Sequence, residues 1–290
     1  MASPFRVRTL IHKTWCATYA NPNPLMFGLV VALLTVTQDT FLFPYLDLSR
    51  NESIRDFFQT LPFPLFLLII AVFIGKSLAS SQIFILSASN FLRQPKLLIP
   101  YSRFIRALIY TAIETVSAVL VVLTSYLLFA PLFFLNPENT RFSLLANASL
   151  SIFLISTLLI TVIKHLTLGY ILLSPLRFRS SLNLAAGLFV RYRYFSALSF
   201  FSALLIMLLF TILGNLVILQ YAFIGRYLPE VVSETFVFTV LLFAGTFISV
   251  FLEVFWLNFF FILTNKNQKK ERVLPLTQKD LEGIPSTPFL

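Results

Sequence analysis

Charged residues are scarce in this chain of 290 residues: Asp, Glu, Lys and Arg make up 12% of it, whereas soluble domains carry about 25%. Cysteine occurs once, at Cys16, which excludes an intramolecular disulfide and any metal cluster held by several cysteines. Glycine occurs only eight times, so little of the chain can form the glycine-rich loops that bind phosphate groups. These shortages disfavour a soluble, disulfide-stabilised or nucleotide-binding domain.

The chain is instead rich in apolar residues. Hydrophobic residues make up 58% of the chain, 34 residues are Phe, and the mean hydropathy is +0.86. The net charge of +10 comes from short basic clusters between long apolar runs, so nucleic acid is not an expected partner. The composition indicates an integral membrane protein.

Six apolar runs are long enough to cross a bilayer, for which a helix needs about 20 residues. The first run has no small-residue cleavage site, so we expect a retained helix and not a cleaved signal peptide. The sequence therefore predicts an all-α bundle at residues 1–266, followed by a disordered cytoplasmic tail at residues 267–290. The predicted transmembrane helices lie at about residues 25–46, 61–86, 107–135, 144–173, 195–218 and 231–263.

Lysine and arginine are distributed unevenly between the two sides of these helices. The side that holds both termini carries most of them, and positively charged loops stay in the cytoplasm. We therefore expect a multi-pass protein of the cell membrane with cytoplasmic N- and C-termini. The loops on the opposite side hold only Arg50, Arg55, Arg141 and Arg226.

A charged residue recurs at a spacing of about 88 residues, at Lys76, Lys164 and Glu253. Each is followed by an Ile-Leu pair or a Leu run and then by Ser or Thr. This pattern predicts three repeat units, at residues 1–90, 91–178 and 179–266, each a hairpin with the same orientation. Parallel repeats disfavour the inverted-repeat transporter folds, although parallel repeats also occur in transporters.

Each unit carries a segment that mixes basic with aromatic residues, at residues 5–19, 97–106 and 184–194. This composition is typical of helices that lie on an anionic membrane surface. Ordinary cytoplasmic connectors are the alternative. The expected partners are anionic lipid headgroups at the cytoplasmic face, with a protein partner or a second copy left open. The candidate lipid-surface residues are Arg6, Arg8, Lys13, Arg103, Arg106, Arg191 and Arg193.

The segment FRVRTLIHKTWCATYANPNPLMFG, at residues 5–28, leads into the first predicted span, and basic connectors precede the third and fifth. This layout resembles a loose group of bacterial six-helix membrane families, including the membrane domain attached to some glycerophosphodiester phosphodiesterases. The resemblance covers residues 5–266 and concerns layout. It implies residence in a membrane. The soluble phosphodiesterase domain has no counterpart in this sequence, so no catalytic residue is carried over.

Ionisable residues inside membrane spans are candidates for a functional site because their burial is costly. We expect Lys76, Lys164 and Glu253 to meet at the centre of the bundle, where opposite charges would pair. Such a cluster would bind an anionic headgroup or relay protons. The alternative is a structural ion pair with a lysine that snorkels to the surface. The candidate intramembrane residues are Asp39, Lys76, Glu114, Lys164 and Glu253.

Motifs for catalysis or cofactor binding are missing from the sequence. There is no HExxH, GxSxG, P-loop or dinucleotide-binding pattern, and His12 and His165 are too few for a histidine metal site. We therefore expect no enzymatic activity and no cofactor, and a protein that acts through lipid or partner contacts. The alternative is a small transporter or permease-like component that uses Lys76, Lys164 and Glu253. A closed core filled with Phe would favour the first interpretation, and a water-accessible cavity reaching Lys164 and Glu253 would favour the second.

Overall fold

The computed structural model describes residues 7–20, 23–37, 63–92, 100–130, 140–173, 178–224 and 230–271. Within these ranges the chain is helical and contains no strand, which confirms the all-α fold class. The helices are α1 (Val7–Ala20), α2 (Asn23–Thr37), α3 (Phe63–Leu92), α4 (Pro100–Phe129), α5 (Thr140–Leu173), α6 (Phe178–Arg191), α7 (Arg193–Ile224) and α8 (Glu230–Glu271).

Five of these helices, α3, α4, α5, α7 and α8, are long and apolar enough to cross a membrane. A sixth span arises only if α1 and α2 count as one broken span, and their axes meet at 97°. The chain therefore has the character of a multi-pass membrane protein. The second half of the predicted first span, with Asp39, lies outside the described residues. The sixth span, the three-unit repeat and the orientation of the termini remain predictions.

Several helices extend beyond their predicted ends, and the start of α4 and the end of α8 do so by the most residues. α4 begins at Pro100, so residues 100–106 form its first turns and not a separate surface helix. Proline suits the first turn of a helix, and no Gly or Pro interrupts the chain from there to Phe129. α8 continues to Glu271 because its polar end lacks a helix-breaking residue. Residues 272–290 of the predicted tail lie outside the described part of the chain.

The short helices α1 and α6 each bury one face against the bundle. In α1 the buried residues Leu10, Thr14 and Thr18 recur every four positions, which places them on one side of the helix. In α6 the buried residues are Ser181, Ala185 and Leu188. α1 packs on α7 and α8, whereas α6 packs on α5 and α7. These one-sided contacts fix the orientation of α1 and α6 relative to the spans.

The core is centred on α8, which packs against α1, α2, α3, α5 and α7. Its second half is fully buried at Phe255, Leu257, Phe259 and Leu263. Phe255, Phe259 and Leu263 pack with residues of α1, α5, α6 and α7 in one hydrophobic cluster, whereas Leu257 packs with residues of α3, α4 and α5 in a second. By contrast, the first half of α5 and most of α7 expose apolar side chains, as expected where helices face lipid.

Candidate functional site

An ion pair joins two neighbouring spans inside the bundle. The Lys164 ammonium of α5 lies 2.8 Å from Oε2 of Glu114 on α4 and donates to its Oε1 at 3.1 Å. The side chains are 13% and 28% exposed, respectively. Phe129 of α4 also contacts Phe153 of α5. Because Phe129 follows Glu114 in α4 whereas Phe153 precedes Lys164 in α5, the two helices are antiparallel. The pairing avoids an isolated charge among apolar side chains, which would be far less favourable.

A second polar contact lies one turn away on α4. The Tyr110 hydroxyl donates to Oε1 of Glu253 on α8 at 2.6 Å, and Tyr110 is almost fully buried. Glu253 is also within electrostatic range of Glu114 and Lys164. Its Oε2 is buried and accepts no hydrogen bond from the described residues. We refer to Tyr110, Glu114, Lys164 and Glu253 as the polar cluster.

The direct partners within the polar cluster differ from the expected ones. Lys164 pairs with Glu114 and Glu253 pairs with Tyr110, whereas the repeat pattern suggested a meeting of Lys76, Lys164 and Glu253. Lys76 is half-buried on α3. Glu114 was among the predicted intramembrane residues, whereas Tyr110 was not. The spacing of four residues from Glu114 could have identified it, because a tyrosine inside a span needs a hydrogen-bond partner.

His165 follows Lys164 in the chain and is buried in the core. Its Nδ1 donates to the Thr161 carbonyl at 2.8 Å, since a carbonyl oxygen only accepts. Its ring stacks on Trp256 with centroids 4.6 Å apart and planes 20° from parallel. These contacts support a structural role. In the part of the chain that the structure describes, no group of three or more His, Cys, Asp or Glu residues could hold a metal ion.

The candidate lipid-surface residues fall into two groups. Arg8 and Lys13 on α1 are exposed, as are Arg191 and Arg193 at the junction of α6 and α7. We refer to these four side chains as the basic surface.

The remaining arginines of that prediction are placed differently. Arg103 is half-buried: its Nε donates to the side chain of Gln82 and its guanidinium lies 5.7 Å from the Phe27 ring centroid. These contacts join α4 to α2 and α3. Arg106 is also half-buried on α4. Arg6 lies outside the described residues.

A groove of about 750 Å³ runs along α4 and α5. Ile109, Ile113 and Val116 of α4 contribute to its apolar wall, and Lys164 and Thr167 of α5 supply polar groups. Phe178 and Leu182 of α6 also line it. Val116 is 60% exposed, so the groove opens on the side of the bundle and not into its core. Glu253 is not among the described residues that line it.

The functional interpretation of this chain depends on its own geometry. A comparison with protein-family models, with curated proteins and with solved structures found no match. The described residues offer an internal polar cluster, a basic surface and a side-opening groove.

Proposed function

We propose that this chain is a non-enzymatic integral protein of the cell membrane that binds anionic lipid headgroups at its cytoplasmic face. The basic surface on α1, α6 and α7 is the binding element. The observation that carries this proposal is the geometry of α1, which meets α2 at 97° and has a buried face and a basic exposed face. A helix with these properties is suited to lie in the plane of the membrane surface.

Several contacts fix α1 to the bundle. Asn258 of α8 donates from Nδ2 to the buried Thr14 hydroxyl oxygen at 3.3 Å. The Trp15 ring lies 5.1 Å from Phe247 and 6.4 Å from Phe251, between ring centroids. Because α1 is held on one side, its basic residues keep a defined direction relative to the spans. This ordering lowers the entropy cost of binding headgroups.

The second part of the basic surface lies next to the same hydrophobic core. Leu10 of α1 and Leu188 of α6 belong to one buried cluster, so both short helices cover the same region of the bundle. Arg191 and Arg193 flank the turn into α7, and the Arg193 guanidinium lies 5.0 Å from the Tyr194 ring centroid. A basic side chain near an anionic bilayer contributes about 1 kcal/mol of binding free energy. Together the four residues supply enough energy to discriminate anionic from zwitterionic lipid.

The packing of the core supports lipid binding over transport. Phe251, Phe255 and Phe259 are buried among Trp256 and other apolar side chains, and the groove opens sideways. Transport is the second candidate, favoured by the polar cluster and by the position of Lys164 in the groove wall. A flux across proteoliposomes that Glu253→Gln abolishes without unfolding the protein would favour transport.

The proposal is tested by lipid retention. The protein is reconstituted in nanodiscs with equal amounts of phosphatidylcholine and phosphatidylglycerol, released, and examined by native mass spectrometry. The wild type is expected to retain phosphatidylglycerol preferentially. The variant Arg8→Gln/Lys13→Gln/Arg191→Gln/Arg193→Gln should lose this preference by about tenfold or more, since four electrostatic contributions are removed.

The matched control keeps the charge and changes the side chain. Arg8→Lys/Arg191→Lys/Arg193→Lys is expected to retain phosphatidylglycerol as the wild type does, because attraction to the surface depends on charge. Equal retention of phosphatidylglycerol by the glutamine variant and the wild type would contradict the proposal.

A further inference from the structure

The groove between α4 and α5 has the dimensions of a lipid chain. Its α4 wall extends from Ile109 to Leu120, which is about 16 Å along a helix at 1.5 Å per residue. Half of the roughly 30 Å hydrocarbon core has nearly the same thickness. α6 follows α5 after residues 174–177, so Phe178 and Leu182 lie at the end of the groove near the end of α5. The groove is therefore about one leaflet deep.

Two polar side chains of α5 lie inside the groove and not at its end. Lys164 and Thr167 are three residues apart on α5, which places their side chains about 5–6 Å apart between Cβ atoms. Lys164 is nine residues before Leu173, or about 14 Å along the helix. If the helix leaves the membrane near Leu173, a headgroup at the surface is too far away to reach the Thr167 hydroxyl. A ligand atom that pairs with Thr167 and with a remaining donor of Lys164 would therefore lie within the hydrocarbon layer.

Thr167 lacks a hydrogen-bond partner within the described part of the chain. Its side chain is 2% exposed and its buried hydroxyl makes no hydrogen bond there. Thr111 and Thr124 donate to the carbonyl four residues earlier, whereas Thr157 and Thr167 of α5 do not, and of these two Thr167 is the one that lines the groove. A rotation about χ1 between staggered positions redirects the hydroxyl. A buried hydroxyl without a partner is unfavourable by itself, which points to a ligand atom.

The charge of the groove restricts the kind of ligand. Lys164 carries three N–H donors and Glu114 has two carboxylate oxygens, so at least one donor remains for another acceptor. The Lys164–Glu114 pair is neutral as a unit. An anionic ligand would bring an uncompensated charge into an apolar groove, which is costly in a membrane. An uncharged oxygen acceptor avoids this cost.

We propose that the α4–α5 groove binds an uncharged, carbonyl-bearing lipid chain, whose carbonyl oxygen accepts hydrogen bonds from Lys164 and Thr167. A carbonyl oxygen has two lone pairs and so suits two converging donors. The apolar walls formed by residues such as Ile113 and Ile163 cover the hydrocarbon. This site is distinct from the basic surface and goes beyond the proposed function. Either proposal can fail without the other.

The test uses photoreactive probes that differ only in their polar end. Long-chain diazirine probes are prepared as the fatty acid methyl ester, the free carboxylate and the alkane, and added to the full-length protein in nanodiscs at alkaline pH. After irradiation, the labelled peptides are identified by mass spectrometry. The methyl ester is expected to label peptides that contain residues 109–120 and 159–171, at least fivefold more than the other two probes.

Matched variants separate specific binding from general contact with lipid. Val116→Trp fills the groove, whereas Val119→Trp adds the same bulk at an equally exposed position on α4 that does not line it (60% and 59% exposed). Thr167→Val removes the hydroxyl without a partner. Ser117→Ala removes a groove hydroxyl that already donates to the Ile113 carbonyl at 2.7 Å.

The expected results follow from these positions. Val116→Trp should abolish the methyl ester labelling and Val119→Trp should leave it within twofold of the wild type. Thr167→Val should lower the labelling about fivefold, the effect of one hydrogen bond, and Ser117→Ala should not change it. Strongest labelling by the carboxylate, equal labelling in the two Trp variants, or cross-links that join two copies of the chain through this groove would overturn the proposal.

Discussion

Lys164 and Glu114 lie inside the bundle as partners, and neither would be favourable alone. Their contact distances of 2.8 and 3.1 Å and their partial burial make each side chain the counter-ion of the other. Removing one partner of a buried pair leaves an uncompensated charge, whereas removing both leaves none. This difference allows the pair to be tested at the scale of single residues.

We predict that Lys164→Met and Glu114→Gln each destabilise the protein by about 3–5 kcal/mol, because each strands the opposite group. The double variant Lys164→Met/Glu114→Gln should recover most of that loss. Thermal unfolding in one detergent, followed by Trp fluorescence, measures the three variants together. Additive losses in the double variant would show that the two residues are not coupled.

Individual residues were partly predictable from the sequence. A charge inside an apolar run identifies Lys164, Glu114 and Glu253 as candidates, because an ionisable side chain inside a membrane span is costly and therefore rare. The identity of each partner depends on which helices are neighbours and on their rotation, and neither property is encoded in a local pattern. Tyr110 was therefore missed, and the pairing of Lys164 with Glu114 was not predicted.

At the scale of helices, close approach between α2 and α8 depends on a glycine. A Cβ atom at Gly28 would lie 2.6 Å from Cγ2 of Val250 and 2.8 Å from the Thr246 carbonyl oxygen. The backbone atom cannot rotate away, so the helices would have to separate. By contrast, a Cβ at Gly187 of α6 meets no atom within 4 Å.

We predict that Gly28→Ala lowers stability by about 1–3 kcal/mol through overpacking between α2 and α8. Gly187→Ala is the matched control and should raise stability by up to about 1 kcal/mol, since alanine favours the helical state. Both are measured by thermal unfolding in the same detergent. Equal melting temperatures for the two variants would contradict the close packing of α2 on α8.

The helices were more predictable than their ends. Long apolar runs identified α3, α4, α5, α7 and α8 because a helix that crosses a bilayer must be apolar over its whole length. Composition alone did not distinguish surface helices from helical extensions. The segment at residues 100–106 continues into α4, whereas Arg191 and Arg193 flank a turn between α6 and α7, although both regions mix basic and aromatic residues.

The whole molecule combines a closed aromatic core with two features that face outward, the basic surface and the groove between α4 and α5. The core around Phe255 and Phe259 holds α1 and α6 against the spans, and the groove between α4 and α5 opens to the side. The five long apolar helices are compatible with a membrane, so lipid is the solvent that we expect these surfaces to meet. The proposed lipid binding depends on the exposed basic side chains and on the side opening of the groove.

Cys16 allows the orientation of α1 to be measured in the otherwise native protein. It is the only cysteine in the sequence and is exposed on α1. A nitroxide attached there reports its depth through collisions with oxygen, which partitions into lipid, and with a water-soluble nickel complex. A label on a helix that lies at the membrane surface should be near the headgroups.

If α1 binds an anionic membrane surface through its basic residues, the label should lie at headgroup depth and move more slowly with phosphatidylglycerol than with phosphatidylcholine alone. Arg8→Gln/Lys13→Gln should remove this difference in motion. A label deep in the hydrocarbon, or equal label motion in both lipids, would contradict this binding.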